Sequence, residues 1–197
     1  GDETILTGAL ADPTIDVVKL VGDIDISSTL EIKRSVTLDL NGYVLKMTTN
    51  NTAVKIFNGG NLTLIDSNTS ASHFFDTTNN LWQLSSSGFE VLGGIITNTS
   101  QASVGSGLYI ENGGSFTMNG GNIVGCKSSN SAYGGVYNEG TFIFNAGSIQ
   151  GYAGGLYNKG TVNGNGGLIT NYVSNQGSIN VDTGANGTTF TDSVINY

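Results

Sequence analysis

Apolar residues recur along most of the chain in short alternating runs, as in Val36/Leu38/Leu40, Leu62/Leu64 and Phe142/Phe144. A period of two marks strands with one buried face. Gly-rich turns flank every run, and nothing between them has the length or 3.6-residue period of a helix. The first residues differ. Glu3 to Ala11 (ETILTGALA) predicts a short amphipathic helix, ended by Asp12-Pro13. Asp16 to Val21 and Asp23 to Ile26 then read as the first strands.

The polar positions repeat as well. Asn, any residue, Gly, a small polar residue and a large apolar one appear at Asn58–Leu62, Asn112–Phe116, Asn138–Phe142, Asn158–Val162 and Asn175–Ile179, with a degenerate copy at Ser86–Phe89. Taking the apolar residue that opens each strand block as a marker gives Val36, Leu62, Phe89, Phe116, Phe142, Val162 and Ile179. A unit of two or three short strands cannot bury its own apolar face, so the copies must stack. The result is a parallel β-solenoid. With strands about 4.8 Å apart, seven coils predict a rod roughly 30–35 Å long.

On this reading Asn58, Asn112, Asn138, Asn158 and Asn175 stack at one corner, and Asn41, Asn119, Asn145 and Asn165 at another. Stacked amides can form ladders along the axis. Asn also tolerates left-handed backbone, and the Gly that follows supplies positive φ at the corner. One domain spans residues 1–197: a cap over 1–15, coils over 16–187 and a C-terminal cap over 188–197. An open end exposes core and unpaired strand edges, which is why caps are expected.

The runs Val17 to Ile26 and Ser35 to Leu45 resemble the opening of right-handed parallel β-helices of the pectin-lyase-like type, and later copies such as GGVYNEGTFIFNAGSIQG are similar to coils of adhesin-like bacterial surface proteins. The resemblance implies an all-β, single-stranded, right-handed parallel β-helix of about seven coils with a short N-terminal helical cap. It implies little about activity, because that superfamily includes lyases, hydrolases, phage tailspikes and non-catalytic surface proteins. Its lyases use an Arg or Lys base beside acidic Ca²⁺ ligands; here the only Arg is Arg34, beside the cap. The Asn-Thr-Asp, paired Asp-Asp, Gly-His and Arg-Ile-Lys motifs of its polygalacturonase-like hydrolases are absent.

Composition narrows the chemistry further. Seven cations against 15 acids, a formal charge of −8, lack the footprint of a nucleic-acid binder. No apolar run approaches the roughly 20 residues of a membrane span. The single Cys126 excludes internal disulfides, and the single His73 limits metal and base chemistry. Gly1-Asp2-Glu3 opens no signal peptide, having neither a charged n-region nor an apolar h-region. Glycosidase chemistry needs two facing carboxylates roughly 5–10 Å apart. Of Asp39, Asp66, Glu90, Glu111 and Glu139, none is doubled on a strand face. Asp23 and Asp25 do share one, where they read as solvated or as Ca²⁺ ligands. Glu139 and Lys159, at equivalent positions in consecutive coils, predict an exposed ion pair.

Binding candidates are aromatic. Tyr109, Tyr137 and Tyr157 alternate with inward aliphatics and predict an outward row, suited to a sugar or to packing over the sheet. His73, Phe74, Phe75 and Trp82 fall in or beside the inserted segment 66–80. That insertion and those at 98–106 and 126–133 are expected on one edge of the rod, where repeat insertions build binding faces. The sequence thus leads to a non-catalytic, adhesin-like binding or structural domain of a secreted or cell-surface bacterial protein. Glycans or host-surface proteins are its expected partners, no cofactor or metal is expected, and the isolated domain is expected to be a monomer. A polysaccharide lyase or glycoside hydrolase with a non-standard site, and a phage tailspike or fibre fragment, are the alternatives.

Overall fold

The alternating runs fold as strands that stack coil upon coil, parallel and in register. A computed structural model describes residues 2–76, 83–98, 105–126, 134–151, 154–182, 184 and 187–197. Its first layer is β1 (Val17–Lys19), β2 (Ile24–Ile26) and β3 (Leu30–Ile32); the second is β4 (Ser35–Asp39), β5 (Val44–Met47) and β6 (Val54–Ile56). The third begins with β7 (Asn61–Ile65), leaves the rod for β8 (Ser72–Asp76), β9 (Gln83–Ser85) and β10 (Phe89–Leu92), and resumes with β11 (Ile95–Asn98) and β12 (Leu108–Ile110). In the fourth and fifth layers β13 (Ser115–Val124) and β15 (Thr141–Gln150) run through a corner and serve two faces each, followed by β14 (Val136–Asn138) and β16 (Leu156–Asn158). The sixth is β17 (Thr161–Gly164), β18 (Leu168–Thr170) and β19 (Val173–Asn175). The seventh is β20 (Ser178–Val181), β21 (Thr189–Phe190) and β22 (Val194–Asn196).

These strands make three faces, each seven strands deep, so about six turns separate the first layer from the last. The first face is β1-β4-β7-β13-β15-β17-β20. The second is β2-β5-β11-β13-β15-β18-β21. The third is β3-β6-β12-β14-β16-β19-β22. Inward residues stack on their counterparts. Val36, Leu62, Phe116, Phe142 and Val162 form one buried column, with the rings of Phe116 and Phe142 stacked 5.2 Å apart. Each such aliphatic or aromatic side chain contributes about 1.5–3 kcal/mol of burial.

The marker Phe89 is not a coil. It lies in β10, which pairs antiparallel with β8. The missing coil is the first, around Val18 of β1. Alternation alone could not separate these cases, because a strand in an antiparallel excursion has the same period as one in the rod. The insertions also divide between two edges. Segment 66–94 leaves between the first and second faces, whereas 98–106 and 126–133 leave between the second and third.

Helix α1 (Glu3–Ala11) closes the N-terminal end. Asp2 caps it by accepting from the Thr4 amide at 2.7 Å, and Leu6 and Leu10 are buried over the first layer. Arg34 spans its far end, donating through Nε to Leu10 O at 2.9 Å and through Nη2 to Ala9 O and Ile15 O. The Ala9 and Leu10 carbonyls are among those a helix C-terminus leaves without partners.

The corner after the third face exists in two forms. In the first three layers the column ends on Ile32, Ile56 and Ile110; in the last four it ends on Asn138, Asn158, Asn175 and Asn196. Asn58 and Asn112 therefore do not belong to the ladder. They sit two residues past the column, in turns two residues longer, where Gly59 and Gly113 take positive φ. The ladder runs one way. Asn138 Nδ2 donates to Asn158 Oδ1 at 2.7 Å, Asn158 to Asn175 at 2.8 Å and Asn175 to Asn196 at 2.8 Å. Each Oδ1 from Asn138 to Asn175 also accepts from the amide of the Gly two residues on.

That Gly is not there for positive φ. A Cβ on Gly160 would lie 2.1 Å from Gly140 O, and one on Gly177 2.1 Å from Gly160 O. The preceding coil's backbone passes too close for any side chain. A second ladder joins Asn165 to Asn145 and Asn145 to Asn119, both at 2.8 Å. Asn41 stands apart from it with φ 49°, donating to Leu20 O.

Candidate functional site

The three outer faces differ in what their polar groups do. On the second face Val44, Ile95 and Val124 point outward and would be wet but for the insertion. The antiparallel sheet β10-β8-β9 lays Phe75 over them, and Phe75 and Val91 are buried with them in a small second core. Asp66 holds the ends of this excursion together, accepting from Gly42 N through Oδ1 and from Gly94 N through Oδ2, both at 2.7 Å. His73 Nε2 donates to Gly42 O at 2.8 Å, a further tie to the corner. Of the insertion's candidates, Phe75 is core, His73 and Phe74 are half-buried, and Trp82 lies outside the described residues.

The third face carries the tyrosine row. Pairing in register places Glu31, Lys55, Tyr109, Tyr137, Tyr157 and Ser174 one above another. The rings of Tyr109 and Tyr137 stack at 4.9 Å, and those of Tyr137 and Tyr157 lie 5.2 Å apart and tilted. Ring faces that meet each other are withdrawn from a ligand. The charges are consumed too. Both Tyr109 and Tyr137 donate to the Glu139 carboxylate, Lys159 Nζ donates to Tyr137 Oη at 3.0 Å, and Lys55 pairs with Glu111 at 2.7 Å. Hydrogen bonds from Tyr137 and Tyr109 hold the Glu139 carboxyl below its usual value. Burial, reinforced by Glu139, raises the Tyr109 phenol. The expected ion pair of Glu139 and Lys159 is present at 3.5 Å, as one edge of this network.

The first face is the opposite case. Two outward rows run up it. One is Ser35, Asn61, Ser115, Thr141, Thr161 and Ser178; the other has Thr37, Thr63 and Thr117, then Ile143, Asn163 and Asn180. Neither row contains a charge. Among the described residues none supplies a partner to the hydroxyls of these Ser and Thr side chains. Where this face turns into the third, an open groove of about 740 Å³ is lined by Asn112, Glu139, Thr141, Lys159, Thr161 and Ser178. Strand pairing sets the spacing of the hydroxyls along the axis, and the parallel register keeps each row in line.

Sequence reasoning singled out the aromatics and passed over these hydroxyls. The signal was in the repeat itself, whose small polar residue after Gly becomes the first of the two rows once the coils are stacked. The carboxylate candidates are engaged elsewhere. Asp23 accepts from Val44 N at 2.8 Å and Asp25 pairs with Lys46 at 2.9 Å. Burial would raise the Asp39 carboxyl, but hydrogen bonds from Ser67 and Asn41 and the nearby Lys19 leave it lowered. Glu90 accepts from the Ser72 hydroxyl across the excursion. Cys126 is fully enclosed, and burial pushes its thiol up to about 12. No helix of the described residues is long and apolar enough to cross a membrane.

Comparison with known proteins finds no match, whether to a family model, a curated protein or a solved structure.

Proposed function

We propose that this chain is a non-catalytic binding domain of a secreted or cell-surface bacterial protein, and that its first face and the adjoining groove take a neutral, polyhydroxylated ligand such as a glycan. The observation that carries this reading is the in-register array of hydroxyls without protein partners. A neutral sugar chain offers donors and acceptors in similar density, and hydrogen bonds left to solvent on a flat face are the ones a ligand can exchange. The adjoining Glu139 and Lys159 neutralise each other, so the groove favours no ionic ligand strongly. The resemblance to pectin-lyase-like and adhesin-like coils supports a surface role. The engagement of Arg34 with the helix cap supports a structural duty for the chain's sole arginine instead of that of a lyase base.

The test is a neutral-glycan array read with the intact domain and with Thr141→Lys and Thr161→Lys. These exposed-face changes are expected to weaken binding at least about tenfold while leaving the melting temperature within a degree or two. Binding that is unchanged in both variants but lost on Tyr137→Ala would move the site to the tyrosine row. Cleavage of polygalacturonate or another polysaccharide, seen as new chain ends, would overturn the non-catalytic reading.

A further inference from the structure

The two long turns of the third corner are alike in sequence and unlike in how they are held. The chain contains seven Asn-Gly steps, six of them within the described residues. An Asn followed by Gly is open to self-modification. The Gly amide nitrogen attacks the Asn side-chain carbon, and no Cβ on the following residue hinders closure of the five-membered ring. Two kinds of hydrogen bond oppose this in a folded chain. One on the Gly amide retains the proton that must leave, and one on the carboxamide holds its carbon away from the nitrogen. Either is released only by local opening.

Five of the six steps are held in one of these ways. Gly42 N donates to Asp66 Oδ1 at 2.7 Å, Gly59 N to Gly113 O at 3.1 Å and Gly166 N to Phe144 O at 3.1 Å. Asn119 and Asn163 lie within β13 and β17, and their Oδ1 atoms accept from Asn145 and Asn180. The sixth step is Asn112-Gly113. Both residues are exposed, and among the described residues neither the Asn112 carboxamide nor the Gly113 amide has a hydrogen-bond partner. The change of corner is the reason. Gly59 finds its acceptor in the equally long turn of the coil above it. The coil above Gly113 turns after Asn138 with two residues fewer, so no equivalent carbonyl stands over the Gly113 amide.

We infer that Asn112 is a self-modification site whose reaction changes the charge of the groove where the first face meets the third. The Gly113 amide gives its proton to solvent base, and its nitrogen bonds to Asn112 Cγ. The Cγ–Nδ2 bond breaks and ammonia leaves, giving a succinimide. Water then adds to either ring carbonyl and opens the ring as aspartate or isoaspartate, so water is the only co-reactant and nothing is oxidised or reduced. Asn112 lines the groove together with Glu139 and Lys159, which balance each other. The reaction therefore places an uncompensated carboxylate beside that pair. It is irreversible, so the groove of an aged molecule carries a net negative charge where that of a new one is balanced.

The test is to incubate the intact protein at mildly alkaline pH, where the amide proton is lost more readily, and to map peptides by mass spectrometry over time. Conversion of amide to acid at Asn112 is expected to run at least about tenfold faster than at Asn41, Asn58, Asn119, Asn163 or Asn165. Labelling by a protein-isoaspartate methyltransferase should mark the isoaspartate share on the same peptide. In denaturant the six steps are expected to react at similar rates, because only the fold separates them. Asn112→Gln, which would have to close a less favoured six-membered ring, should lose the conversion at this position without a change in melting temperature. An Asn112 that stays an amide while the denatured chain reacts, or that reacts no faster in the folded protein than Asn58, would overturn the inference.

Discussion

From Ile32 to Ile110 the third corner of the rod is aliphatic, and from Asn138 to Asn196 the same column is amide. Except at Asn196 in the last layer, which is exposed, both forms are buried, and both let one coil sit on the next. They do so by different physics. An isoleucine column is held by non-directional burial and tolerates small changes of shape. An amide column is stable only if each donor and acceptor finds its partner, because a buried polar group left alone costs about 1–3 kcal/mol. The turns follow suit. Beside Ile56 and Ile110 the chain spends two extra residues and a positive-φ Gly, whereas beside asparagine the side chain itself accepts the Gly amide and the turn is as short as the one after Ile32. In both forms the Gly that precedes the next strand faces the backbone of the coil before it: a Cβ on Gly60 would lie 2.3 Å from Ile32 O and one on Gly160 2.1 Å from Gly140 O.

The largest expected effect tests that last step. Gly160→Ala puts a methyl 2.1 Å from a backbone oxygen and should cost on the order of 3 kcal/mol or more in denaturant unfolding. Gly59→Ala meets open space and pays only for its φ of 80°, about 1–2 kcal/mol. Equal losses would mean the two corners are not built differently. Close behind, Asn158→Leu keeps the side chain's shape but breaks the ladder on both sides and takes from the Gly160 amide one of its two acceptors, the other being Asn138 O; about 2–3 kcal/mol is expected. The matching Ile56→Leu should cost less than about 1.5 kcal/mol.

A smaller gain is expected on the second face. Thr97 is fully buried, and its hydroxyl has no partner among the described residues, so Thr97→Val should stabilise by about 1 kcal/mol. A loss would show that the hydroxyl is satisfied after all. The smallest effect is acid sensitivity of the amide half. Glu139 has a lowered carboxyl in the folded state, so its contribution is complete above the unfolded value near 4.5 and fades as pH falls through the folded one. Glu139→Gln should remove that contribution, lowering stability near neutrality and flattening the profile in the acid range, so that variant and parent converge as pH falls.

The fold was largely legible. The helix Glu3–Ala11, the strand faces and the stacking of Asn138, Asn158 and Asn175 follow from periodicity, because a two-residue alternation and a repeated turn leave few alternatives. Phe89 and the pair Asn58 and Asn112 were misplaced for one reason. Local pattern cannot report whether a strand runs with its neighbours or against them, nor that two extra residues shift a turn out of column. The site was less legible. The tyrosine row is as aligned as its spacing implied, but that the hydroxyls of Tyr109 and Tyr137 would be spent on Glu139 is a fact about two coils at once.

Sequence alone therefore determined that this chain is a capped parallel solenoid with amide corners, since each coil carries its own strands, turn and Asn-x-Gly signature. Only the tertiary structure decided which outer face is covered, which is self-satisfied and which has hydroxyls without partners among the described residues. Those distinctions depend on residues roughly 20 to 50 positions apart meeting across the stack, and hydrogen-bond satisfaction is a property of such meetings, not of any one coil.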